Sequence, residues 1–86
     1  MTGCTQTQRF TGIVVAVDGP SLVDVRSATV RAADGRSLTF DVTRLDVANG
    51  LPAAHLREHL ATSAPIVVDY VVEGGQSVAM RYNDAP

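Results

Sequence analysis

His55 and His59 stand four residues apart in the segment HLREH, with Glu58 between them. On a helix, residues three and four apart are surface neighbours, so the three side chains would share one flank. Imidazole nitrogens suit zinc and copper, and a carboxylate oxygen completes a mixed donor set. Glu58 or Asp46 is the candidate third ligand, and a small two-histidine metal site is the sharpest chemistry on offer. A plainer reading uses the same spacing: two surface histidines and a glutamate, paired on the water-facing flank of an amphipathic helix.

The H-x-x-E-H spacing resembles the inverted zinc-protease motif, which implies two histidines on the metal and the glutamate as general base. Such an enzyme needs a third ligand from elsewhere, a substrate cleft and a larger scaffold than 86 residues build. No nucleophile elbow, phosphate-binding glycine loop or dinucleotide fingerprint accompanies it, and Gly74-Gly75 falls in an expected hairpin rather than before a helix. Asp41 and Asp69 alternate outward and would form a carboxylate pair if their strands were neighbours; solubilising charges on a wet face explain them as well. The expectation is a chain without catalysis and without a cofactor.

Cys4 is the single cysteine, which excludes an intramolecular disulfide and an all-thiolate metal centre within one chain. The start Met1-Thr2-Gly3-Cys4 resembles the end of a bacterial lipoprotein signal, where a small residue and Gly precede the lipidated cysteine; the charged and apolar parts of such a signal are missing. That resemblance implies lipidation at Cys4, a short polar tether from Thr5 to Gln8 and an extracytoplasmic domain. Without it the expected compartment is the cytoplasm. The longest apolar run, Ile13 to Val17, is far short of the roughly 20 residues that cross a bilayer, so no transmembrane segment is expected.

At 86 residues the chain has room for one hydrophobic core, expected over residues 9–83 behind a disordered segment at 1–8. Apolar residues at 45% and charged residues at 19% place it among globular rather than disordered chains. Valine is abundant and the aromatics are only Phe10, Phe40, Tyr70 and Tyr82, so the core is built from β-branched side chains, as in a sheet. Net charge is −2, and the seven cations, all arginine, are scattered without a basic run. Phosphate backbones are held by clustered positive charge, so this pattern weighs against nucleic acid as a partner.

Two-residue alternation sets out the elements. Strand one runs from Arg9 to Val17, with Gly12 expected as a bulge or bend; strand two runs from Leu22 to Ala32. Asp34-Gly35 marks a two-residue hairpin turn into strand three, Arg36 to Thr43, which puts Leu38, Phe40 and Val42 on one face. Pro52 sits in the first turn of a helix to Thr62, with Ala53, Leu56 and Leu60 on its buried stripe. Strand four, Ile66 to Glu73, turns its even-numbered residues from Ile66 to Val72 inward. Gly74-Gly75 leads into strand five, Gln76 to Tyr82, with Val78, Met80 and Tyr82 inward and a tail after it.

The order β-β-β-α-β-β resembles the OB-fold, a mainly β, five-stranded Greek-key barrel with one helix between strands three and four. It is also similar to small bacterial domains of the same strand and helix order, which imply no particular activity. The OB resemblance implies ligands on the face of strands two and three, here Arg26, Thr29, Arg31, Thr39, Asp41 and Thr43. Base-stacking aromatics are absent from that set. Three readings follow: a non-catalytic module that binds a protein or small ligand; a single-stranded nucleic-acid-binding OB domain; and a small metal-binding protein using His55, Glu58 and His59. An exposed strand edge would offer a route to a homodimer.

Overall fold

The computed structural model describes residues 6–21 and 24–85. Cys4 and the lipidation expected there lie outside the described residues, as do positions 22 and 23 of the expected second strand. Among the described residues the valine-rich alternating segments form β1 (Gln8–Asp18), β2 (Ser27–Arg31), β3 (Ser37–Asp41), β4 (Ile66–Glu73) and β5 (Gln76–Asp84). They close into a barrel in the order β1-β2-β3-β5-β4, consistent with the OB-like topology. Every pairing is antiparallel except β3 with β5, a parallel join of two residue pairs, Phe40 with Ser77 and Asp41 with Val78.

Closure depends on β1 serving two partners. Gln8 to Gly12 pair with β4, and Ile13 to Asp18 pair with β2. Gly12 stands at the handover, where a Cβ would lie less than 3.0 Å from the Arg31 carbonyl oxygen, so only glycine lets the strands approach. The bulge itself is further along, between Val14 and Ala16. Of the bulge or bend expected at Gly12, the bulge lies further on, and Gly12 itself is a point of close approach.

The two hairpins differ. Gly74 and Gly75, at φ 58 and 79, form a two-residue turn between the paired Glu73 and Gln76, the conformation whose twist matches the strands. The first hairpin closes around three residues, not two: Ala32 N–H donates to the Arg36 carbonyl, and Gly35 N–H to the Ala32 carbonyl.

Inside, Phe10, Phe40 and Tyr70 meet in tilted and edge-on contacts with ring centroids 5.9 and 5.0 Å apart. Leu56, from the helix, fills the space among Val30, Ile66, Ala79 and Tyr82, leaving an apolar void of about 10 Å³, with no room for a ligand. The lumen is a packed core, and any ligand must bind outside it.

Alternation holds through Tyr70 and then slips. Asp69 faces Arg81 but Tyr70 faces Ala79, so Met80 is an extra residue in β5. The bulge turns Ala79 into the core at 1% exposure and leaves Met80 37% exposed, the reverse of strict alternation. Beyond it Val71, paired with Val78, is buried, while Val72 is exposed. The outer edge of β5 is covered by the chain that follows β3, through Asp46 N–H to the Met80 carbonyl and Leu51 N–H to the Tyr82 carbonyl. Closure and this cover take up most of the edge that a strand-pairing dimer would use.

The helix has two parts, a 3₁₀ turn at Ala53–His55 and α1 at Leu56–Thr62, with Pro52 extended ahead of them instead of inside the first turn. In an α-helix, at about 100° per residue, Ala53 would lie on the Leu60 side of Leu56. A 3₁₀ turn advances about 120° per residue and sets Ala53 over Leu56, while the residues α1 buries are Leu56 and His59. His59 is 5% exposed and Leu60 38%, so the buried stripe expected through Leu60 runs through His59 instead. Among the described residues no helix is long and apolar enough to cross a membrane.

Candidate functional site

Of the six residues expected to form one binding face, Thr29, Arg31, Thr39 and Asp41 lie on β2 and β3, and Arg26 and Thr43 lie just beyond their ends. Across β2 and β3 the outward positions pair as Ser27 with Asp41, Thr29 with Thr39, and Arg31 with Ser37. The Thr29 and Thr39 hydroxyls are 2.9 Å apart and satisfy each other. Asp41 accepts from the Thr43 backbone N–H at 2.8 Å and hydroxyl at 2.6 Å, and these bonds hold its carboxyl below the ordinary range. That surface is short-range polar and carries no described aromatic ring.

Arg26 and Thr43 instead rim a groove of about 410 Å³ at one end of this ribbon. Its apolar lining comes from Val25 and Val42, at the margins of β2 and β3, from Leu45 and Val47 after β3, and from Ala53. Val47 is 61% exposed, the most exposed of the large hydrophobic residues described. On the rim, Arg26 donates to both oxygens of Asp24 at 3.0 and 3.2 Å, which lowers the Asp24 pKa and raises that of Arg26. Spacing along the sequence did not single out Val47, because an apolar residue in a loop has no periodicity to betray it.

The histidines lie at the helix end of the barrel. His55 Nδ1 is 2.9 Å from Glu58 Oε2, so Glu58 backs His55 rather than facing His59. His59 Nδ1 is 3.0 Å from the Ala64 carbonyl oxygen, and its Nε2 is 2.8 Å from Asp84 Oδ1. The third group that converges on the histidines is Asp84, with one donor atom from each of the three residues within 4.8 Å of the others. Asp46 is occupied in its own loop by Ala48 and Asn49. Below the rings, the buried Tyr82 hydroxyl donates to the Pro52 carbonyl at 2.6 Å; burial pushes its pKa up, and the charges of Asp84 and Glu58 push it further.

Asp41 and Asp69 do not form a pair, because β5 lies between β3 and β4. Asp69 is held by Arg9 at 3.0 Å and Arg81 at 2.9 Å. Burial raises its pKa, but the two arginines outweigh that and leave it below the ordinary range. No protein-family model matches the chain, and no curated protein sequence matches it.

Proposed function

We propose that the chain is a non-catalytic binding module that takes an apolar group of a protein or small ligand into the groove beside β2 and β3. The observation that carries this reading is a 410 Å³ groove with an apolar floor and a charged rim, outside a lumen that is full. An OB-like architecture supports the location, since such barrels receive ligands on strands two and three and the flanking loops. The rim supports a binding rather than an acid–base role, because Asp24 and Arg26 are committed to each other.

The test is an amide NMR titration of the full chain with anilinonaphthalene sulfonate, an apolar anionic dye. Saturable shifts should centre on Val25, Val42 and Val47, and Val47→Asp should weaken binding roughly tenfold, the equivalent of one valine's burial. If oligothymidylate binds in a salt-dependent way on Thr29, Arg31 and Thr39 while the dye leaves the groove untouched, the nucleic-acid reading replaces this one.

A further inference from the structure

His59 presents a problem of electrostatics that its neighbours answer. With Nδ1–H directed at the Ala64 carbonyl, the neutral ring carries its lone pair on Nε2. That atom is 2.8 Å from a carboxylate oxygen of Asp84, yet the contact is out of line for a hydrogen bond. Among the described residues His59 Nε2 is the one buried side-chain polar atom without a hydrogen-bond partner. A lone pair and a carboxylate oxygen repel at this distance unless a positive charge stands between them. A cation on the lone-pair axis, with the carboxylate approaching it at an angle, fits the off-line contact better than a shared proton.

His55 supplies the next donor. It lies one turn before His59, the rings edge-on with centroids 4.9 Å apart. Its Nδ1 stands 2.9 Å from Glu58 Oε2, so Nε2 is the nitrogen turned to the metal in this proposal. Each histidine thus has an oxygen behind it, a carboxylate for His55 and a backbone carbonyl for His59, the arrangement that fixes the tautomer of metal-bound imidazoles. Asp84 arrives from β5, paired with Ile66 at the start of β4, and its side chain is 69% exposed, so water can reach the site.

We propose that His55, His59 and Asp84 bind a divalent cation of the zinc class, with water in the fourth position, and that the ion fastens α1 to the end of β5. Two imidazoles and one carboxylate are a donor set for zinc or its borderline neighbours, not for magnesium, which prefers oxygen alone. Tetrahedral bonds of about 2.0–2.1 Å separate donor atoms by about 3.4 Å, so on binding the His59–Asp84 pair, now 2.8 Å apart, opens slightly, while the widest donor separation in the trio, within 4.8 Å, closes. Rotation of the exposed Asp84 and half-exposed His55 side chains supplies that movement while the buried His59 stays in place. The carboxylates of Glu58 and Asp84, which already raise the Tyr82 pKa, make this end of the barrel attractive to a cation.

The experiment uses the full chain, stripped of metal with chelator, and zinc ions alone as the probe. One ion per chain should bind, and at a hundredfold excess over Kd the melting temperature should rise by roughly 10–20 °C, with no rise in magnesium. Asp84→Asn and His55→Gln, both at accessible positions, should each weaken zinc binding at least tenfold while leaving the metal-free melting temperature within a few degrees. His59→Ala empties a buried position, so ring-nitrogen NMR of the unaltered chain replaces it: zinc should shift both Nε2 signals and leave both Nδ1 protons in place. No stabilisation by zinc up to about 1 mM overturns the proposal. So does zinc binding that both variants retain, or a His59 ring that keeps protons on both nitrogens in the presence of zinc.

Discussion

Replacing Ala79 or Met80 with Asp tests the bulge that governs half of this structure. Strict alternation along Val78 to Tyr82 would put Met80 in the core and Ala79 in water; the structure reverses them, with Ala79 1% and Met80 37% exposed. A carboxylate introduced at Ala79 enters a cluster of wholly hydrophobic side chains, with no cation among them. An unpaired buried charge of this kind costs about 3–5 kcal/mol, against a total of about 4–13 kcal/mol for a chain of this length. At Met80 the new carboxylate stays within reach of water. What is lost there is the covered part of a methionine, about 1–2 kcal/mol. Guanidinium denaturation at neutral pH, read by circular dichroism, should therefore place Ala79→Asp at least 2 kcal/mol below Met80→Asp at similar m values. If Met80→Asp is the costlier of the two, the bulge is wrong, and Asp84 no longer faces Ile66.

Two further outcomes are expected. Asp69 has its carboxyl pKa depressed in the folded state, so its stabilising effect is complete above the unfolded value of about 3.9 and is lost as pH falls through the lower folded value. Asp69→Asn should cost about 1–2 kcal/mol at neutral pH, and its gap to the unaltered protein should close below about pH 4; a gap constant down to pH 2 on urea titration would contradict the Arg9–Asp69–Arg81 arrangement. Gly12→Ala drives a Cβ against the Arg31 backbone and should destabilise by about 1–3 kcal/mol, or roughly 4–20 °C in melting temperature. A calorimetric midpoint unchanged by this substitution would mean that β1 does not pass from β4 to β2 at that residue.

Local patterning in the sequence determined that five strands and one helix form in this order, because alternation, turn glycines and Pro52 act within a few residues of one another. Phe40, Tyr70 and Tyr82 read as buried, and they are. The length and position of β4 were legible for the same reason. What patterning could not reach was any feature set by one residue's slip in register. Counting back from the Gly74-Gly75 turn without interruption pairs Ile66 with Asn83; the extra residue at Met80 pairs it with Asp84 and brings that carboxylate to His59. Likewise the rotation of α1 about its axis, which its composition does not set, buries His59 and leaves Leu60 exposed. Alternation fixes which residues are able to face a core, whereas bulges and helix phase are decided by how the closed barrel packs. For that reason the histidine pair was visible in the chain and its carboxylate partner was not.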